Sequence, residues 1–289
     1  MAEITSEAVQ KLRAQTGAGI MDCKRALASA GGDMEKAVKT LREQGAASAA
    51  KKAGRVTGDG LVTSYLDPLG KTAVLLELNC ETDFVARTED FIKLIADLAR
   101  RAGTASPAWK GVEDGPGDLM QQMIGKLGEN LTFRRFVRYD KTNPGVFGVY
   151  IHPSGGTGKV GVLLELSVAD PKMETNEEVK TLARDLAMQI AAANPRWVKK
   201  EDVPAEMLEQ EKAIAREQAR RENKPEKIWD KIAQGKLQQF YQQFCLLEQP
   251  YVKDAGGKTP VGAVVQQLSQ KTGVVLSPAR FVRYKVGEE

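Results

Sequence analysis

Histidine is nearly missing from this chain: His152 is the single one in 289 residues. The commonest general base and metal ligand is thereby confined to one position. Catalytic chemistry would have to come from carboxylates, lysines or cysteines. Cysteine is also scarce. Cys23, Cys80 and Cys245 lie far apart, form no C-x-x-C pair and are odd in number. That argues against a complete intrachain disulfide framework and favours reduced, buried or half-buried thiols. No run of about 18 apolar residues occurs, so no membrane span is expected. The opening Met-Ala-Glu-Ile-Thr has no apolar signal region, and a cytoplasmic location is expected. Nor is charge of one sign concentrated. The formal net charge is +4, spread along the chain, whereas nucleic-acid binders gather a basic face.

The length is enough for two or three domains, each with its own core. Thr5 or Ser6 can cap a first helix with Val9 and Leu12 on one face. Thr16-Gly17-Ala18-Gly19 breaks it, and Ile20 to Ala30 reads as a second helix. Gly31-Gly32 interrupts that one, and Asp33 is a natural cap for a third. The third helix is predicted over Met34 to Gln44, with Ala37, Val38 and Leu41 inward and Gly45 ending it. Ala46 to Gly58, rich in Ala, Lys and Gly, reads as a partly helical linker. Residues 1–54 thus form a small three-helix unit with its linker. No lysine follows Thr16–Gly19 at the spacing of a phosphate loop, so its glycines serve to reverse the chain.

The remainder contains one module twice. Gly60, Gly70-Lys71 and Val74-Leu75-Leu76-Glu77-Leu78 recur 88 residues later as Gly148, Gly158-Lys159 and Val162-Leu163-Leu164-Glu165-Leu166. Further on, Arg135-Phe136-Val137-Arg138-Tyr139 recurs as Arg280-Phe281-Val282-Arg283-Tyr284, at an offset of 145. The second copy therefore carries 57 extra residues. Each copy reads strand, turn, strand, helix, helix, strand, which makes an α+β module. The boundaries fall at 55–140 and 141–289. Hairpins are expected across Asp67–Gly70 and Pro153–Gly158. The last strand alternates, the period of a half-buried strand. Gly156-Thr157-Gly158-Lys159 faintly suggests a phosphate loop. Such a loop needs a glycine five residues before its last glycine and Ser or Thr after its lysine. Pro153 and Val160 stand there instead, so no nucleotide is expected to bind directly.

Between the first module's second strand and its first long helix lies Cys80-Glu81-Thr82-Asp83-Phe84-Val85-Ala86-Arg87. Thr82 and Asp83 suit the opening of a helical turn. Phe84 either folds back into the core or points outward as an anchor for a partner. Its position in the second copy is Lys172, next to Asp170 and Pro171, so the acid–aromatic pair occurs in one copy alone. A scaffold requirement would appear in both copies. A functional device need not.

The extra segment, about 196–255, reads as a helical hairpin: Pro204 to Glu222, a turn at Asn223-Lys224-Pro225, and a return helix from Glu226 to Phe244. Its charges suit a solvated outer face. Trp229, Ile232, Phe240 and Phe244 recur at near-helical spacing.

Two stretches carry a family resemblance. Leu12-Arg13 with Thr16-Gly17-Ala18-Gly19-Ile20-Met21-Asp22-Cys23-Lys24, and Cys80 to Arg87, resemble the two signatures of bacterial elongation factor Ts. The resemblance covers essentially the whole chain. It implies an α+β fold with a ubiquitin-associated-like N-terminal domain and a duplicated core bearing an inserted arm. It also implies a non-enzymatic role without a cofactor, the release of GDP from the GTPase elongation factor Tu. By this resemblance Arg13, Ile20 and Met21 dock on the partner's nucleotide domain. Thr82, Asp83, Phe84 and Val85 form a wedge near its magnesium site, with Asp83 and Phe84 leading. His152 faces the partner's phosphate loop. A homodimer or two-plus-two complex with the partner is compatible with it. The sequence departs from the family at Ile20, where methionine is common, and in stopping soon after the last strand. Two other readings compete. One is an RNA-binding protein using Arg134, Arg135, Arg138 and the charged arm. The other is a cysteine- or carboxylate-based enzyme around Cys80 and Asp83, for which no paired base lies near in sequence.

Overall fold

The computed structural model describes residues 4–154 and 157–288, so the Gly155-Gly156 tip of the second hairpin lies outside the described residues. The chain is mixed helix and sheet, an α+β fold. Three helices open it: α1 (Ser6–Thr16), α2 (Ile20–Ser29) and α3 (Met34–Lys52). The Thr5 hydroxyl caps α1 by accepting the Ala8 N–H at 3.2 Å, and Asp33 caps α3 by accepting that of Lys36 at 3.1 Å. Gly17, at φ 69°, ends α1 in the left-handed conformation that glycine adopts without strain. Leu12, Cys23, Ala26, Leu27 and Ala37 form a separate small core, with Val38 and Leu41 at its edge.

Here the structure corrects one expectation. Gly45 does not end α3, which runs on to Lys52 through half of the expected linker. The reason is a helix crossing. A Cβ on Gly125 would sit 3.4 Å from the Gly45 Cα, and one on Gly45 would sit 3.5 Å from the Gln121 carbonyl oxygen. Helix packing at that crossing offsets the ~1 kcal/mol that an interior glycine costs a helix. Beyond the crossing, Ala49 packs on the first module's core, and Lys52 Nζ donates to the Ile124 carbonyl at 3.3 Å.

The first module holds β1 (Asp59–Leu66), β2 (Thr72–Cys80), a single turn α4 (Asp83–Ala86), α5 (Glu89–Thr104), α6 (Gly117–Leu127) and β3 (Leu131–Asp140). The second holds β4 (Gly145–Ser154), β5 (Thr157–Val168), α7 (Glu177–Ala193), the arm, α10 (Val261–Thr272) and β6 (Leu276–Lys285). Each sheet is antiparallel, in the orders β1-β2-β3 and β4-β5-β6. Even the irregularities repeat. β2 and β3 slip register between Glu77 and Leu78, and β5 and β6 do so between Glu165 and Leu166.

Each central strand is apolar on both faces. Val74, Leu76 and Leu78 pack under α5 and α6, and Val162, Leu164 and Leu166 pack under α7 and α10. The other faces of the two sheets meet through Val62, Ala73, Leu75, Tyr139, Phe147, Leu163 and Tyr284. β3 is half-buried along most of its length, as its alternation predicts, and touches both layers: Phe136 faces the helices, while Val137 and Tyr139 face the partner sheet. The repeat also makes its polar contacts reciprocal. Arg135 donates to Glu77 at 2.7 Å, with its guanidinium 4.5 Å from the Tyr284 ring centre. Arg280 donates to Glu165 at 2.7 Å and lies 4.0 Å from the Tyr139 ring centre. Each copy thus lends a tyrosine face to the other's arginine, a cation–π contact across the interface.

The inserted arm is a hairpin of α8 (Ala205–Arg221) and α9 (Trp229–Phe244). The return helix starts later than expected, because Glu226–Ile228 forms a tight 3₁₀ turn first. Trp197, Val203, Phe240, Tyr241, Phe244 and buried Cys245 seal its base. Trp229 instead sits at the tip, where its indole N–H donates to the Lys224 carbonyl at 2.9 Å. Among the described residues, no helix is long and apolar enough to cross a membrane.

Candidate functional site

β2 ends in Cys80, and the chain must turn there to reach α5. Thr82 caps the intervening turn α4: its backbone is extended and its hydroxyl accepts the Val85 N–H at 3.4 Å. The four residues of α4 then divide by what they meet. Ala86 is buried and Val85 packs against the core. Asp83 and Phe84 point away from it. Asp83 pairs with Arg87 at 2.8 Å, one helical turn on. Phe84 is 81% exposed, whereas residues of its kind are usually inside.

The turn is clasped from below. α6 ends at Gly128, whose φ of 80° redirects the chain and places Glu129 under the corner. One Glu129 carboxylate oxygen accepts the backbone N–H groups of Glu81 and Thr82, both at 3.0 Å. Its other oxygen accepts the Thr82 hydroxyl at 2.6 Å. Glu81 answers by accepting the Asn130 N–H at 2.7 Å. That bond, with Arg55 nearby, holds the Glu81 carboxyl below the usual range. No motif points to Glu129. The repeat offset does, because its position in the second copy is Val274, an apolar residue.

Cys80 is buried beneath the corner, its Sγ 3.1 Å from the Thr82 carbonyl oxygen. Burial pushes its pKa up to about 12, and the nearby Glu129 carboxylate adds to the shift. A thiol held protonated is a poor nucleophile, so the cysteine-enzyme reading loses its central group. The RNA reading loses most of its strand arginines. Arg135 is committed to Glu77, and Arg138 to Asp140 at 2.9 Å and to the Ala102 and Ala105 carbonyls at 3.1 and 3.0 Å. Arg134, at the bulge, is exposed. Among the described residues, no group of three His, Cys, Asp or Glu side chains is placed to hold a metal ion.

The other expected site residues lie elsewhere. Arg13 in the last turn of α1 and Ile20 and Met21 in the first turn of α2 flank the Thr16–Gly19 loop. All three are exposed, Ile20 by 54% and Met21 by 64%. His152 is exposed on β4, with the Tyr150 hydroxyl 3.1 Å from its Nδ1. So one group sits on the helical domain, one on the first module and one on the second.

Fold and corner together define a class: a duplicated α+β protein with a small helical domain at one end and an aromatic ring held in solvent by one copy only. The description Elongation factor TS belongs to a family model that matches residues 81–288. Elongation factor Ts of Symbiobacterium thermophilum is 47% identical over 289 residues, covering 100% of this chain and 93% of that protein. That of Clostridium botulinum strain Eklund 17B is 45% identical over 294 residues, covering 99% of this chain and 93% of its own. That of a Nostoc species is 43% identical over 300 residues, covering 100% and 94%. The chain belongs to the elongation factor Ts family.

Proposed function

We propose that this protein is a guanine-nucleotide exchange factor that binds elongation factor Tu carrying GDP and speeds GDP release during translation elongation. It acts in the cytoplasm and catalyses no covalent step. The observation that carries the reading is Phe84, 81% exposed on a turn whose next two residues are packed inward. Asp83 and Phe84 lead the Thr82–Val85 wedge into the partner near its magnesium and phosphates. A magnesium ion bridges nucleotide phosphates to protein oxygens, so disturbing its ligands weakens nucleotide binding. Residues 1–54 act as a docking domain through Arg13, Ile20 and Met21. The modules at 55–140 and 141–289 contribute the wedge and His152. A homodimer or two-plus-two complex has no support in the fold or the relatives and forms no part of the proposal.

Linkage sets the energy required. The factor by which the protein weakens GDP equals the factor by which GDP weakens the protein. An effect of about ten-thousandfold needs about 5.5 kcal/mol of differential binding. A desolvated aromatic anchor supplies about 2 kcal/mol of that, and the other two contact groups supply the rest. Stopped-flow release of a fluorescent GDP from the partner tests the reading. Phe84→Ala slows stimulated release, with circular dichroism unchanged. A wild-type release rate from that variant would overturn the wedge assignment.

A further inference from the structure

The two modules hold the same corner by different means, and only the first fixes the capping residue itself with a carboxylate from beyond its second helix. In the second, Ala169 and Asp170 occupy the positions of Glu81 and Thr82, and Val274 that of Glu129. The chain still turns. The Ala169 N–H donates to the Val275 carbonyl at 3.1 Å, and Asp170 caps its own turn by accepting the Lys172 N–H at 2.9 Å. Glu174 inside that turn ties it to the start of β4, accepting the Gly145 N–H at 2.9 Å and pairing with Lys141 at 2.8 Å, but among the described residues no side chain that follows α10 reaches the capping residue. In the first module the same corner is held by three bonds to one carboxylate and a return bond from Asn130 to Glu81. The carboxylate that grips the capping residue occurs in the copy that carries the exposed ring.

We propose that Glu129 is the positioning residue of the Thr82–Val85 wedge, fixing the turn so that Phe84 is presented to the partner already in its docking direction. The proposal rests on the exchange reading above. An apolar ring in water gains by folding back on nearby apolar surface. A turn able to follow it would spend part of its time with the ring unavailable, and apparent affinity falls by the fraction of time the competent form is absent. The Glu129 carboxylate opposes this. It binds two consecutive backbone N–H groups and the capping hydroxyl, and bonds to a charged acceptor are the stronger kind. The gain is preorganisation: the partner does not have to order the turn on binding.

The full-length protein, its Phe84→Ala, Glu129→Ala and Glu129→Gln variants, and the double variant Phe84→Ala/Glu129→Ala provide the test by fluorescent-GDP release. Glu129→Ala is expected to slow stimulated release about tenfold. Glu129→Gln, which keeps one acceptor oxygen but not the charge, falls between it and wild type. In the Phe84→Ala background, removing Glu129 costs less than twofold further, because the turn then has no ring to aim. Backbone amide exchange at Thr82 and Val85 rises in Glu129→Ala, while the β2 and β5 amides keep their protection. A Glu129→Ala variant as fast as wild type, with Phe84→Ala slow, overturns the positioning role and leaves the wedge standing. Losses that simply multiply in the double variant also overturn it. A Phe84→Ala variant as fast as wild type removes the wedge reading and the positioning role together. Should Glu129→Ala lose its fold, Glu129→Gln and its double with Phe84→Ala decide by the same criteria.

Discussion

The two modules share a strand order, a register slip and a reciprocal arginine–tyrosine contact, yet they treat one corner differently. In the second, residues 171–175 form a 3₁₀ turn capped by Asp170 and tied to Gly145 and Lys141 through Glu174, with Lys172 at the place of Phe84. In the first, the turn is clasped by Glu129 and holds an aromatic ring in solvent. The copies thus separate what the scaffold needs from what has been added to it. Strands, helices, bulge and cross-sheet contacts occur twice and belong to the scaffold. The ring, its acid and its clasp occur once, so the scaffold that the two copies share does not require them.

The largest expected effect on activity sets the two corners directly against each other. Phe84→Ala should slow stimulated GDP release about thirtyfold, the equivalent of about 2 kcal/mol. Lys172→Ala at the matching position should change it less than twofold. Equal effects in stopped-flow release would erase the distinction between the copies.

A second comparison concerns the reciprocal ion pairs. Arg135, 25% exposed, serves Glu77, 1% exposed, and Arg280, 47% exposed, serves Glu165, 9% exposed. Removing one partner of a buried pair leaves an uncompensated charge, at a cost of about 3 kcal/mol or more. Arg135→Met should therefore lower unfolding stability by about 3 kcal/mol. Arg280→Met should lower it by about 2 kcal/mol, because its guanidinium is the wetter of the two while the carboxylate it leaves behind is still buried. Urea denaturation of both variants measures the gap, and equal losses would show that burial does not set it.

A third comparison probes the packing between the sheets. Ala73 of the first module stands where the second has Gly161. A Cβ on Gly161 would lie 2.5 Å from Val62 Cγ1 and 2.9 Å from Leu75 Cδ1. Gly161→Ala should cost about 2 kcal/mol through overpacking. Ala73→Gly should cost about 1 kcal/mol through strand entropy and lost contact. A Gly161→Ala protein as stable as wild type in urea would mean that the interface is looser than described.

The smallest effect is a chemical silence. Burial raises Cys80 to about 12 and Cys245 to about 11, so both thiols stay protonated near pH 8. Neither should take up iodoacetamide in the native protein within an hour at pH 8, while both should label in urea. Rapid native labelling of Cys80, read by mass spectrometry, would reopen chemistry at the corner.

Much of this was legible beforehand. The caps at Thr5 and Asp33, the hairpins, the repeat with its 57-residue insertion and the position of the exposed turn all follow from short-range chemistry or from matching the chain to itself. The misreadings share a cause. Gly45 reads locally as a helix end, and only the crossing with Gly125 keeps α3 going. Arg135 and Arg138 read as available cations until their distant partners come into view. Glu129 has no local signature, since its bonds reach back 47 and 48 residues.

By itself, then, the amino-acid order determined the elements, their duplication and the family, because caps, periodicity and repeats act over a few residues or compare like with like. Whether Phe84 lies in water or in the core was left open by periodicity and decided in three dimensions. Burial is a property of what packs around a side chain, and here the packing takes Val85 and Ala86 inward and leaves Phe84 outside.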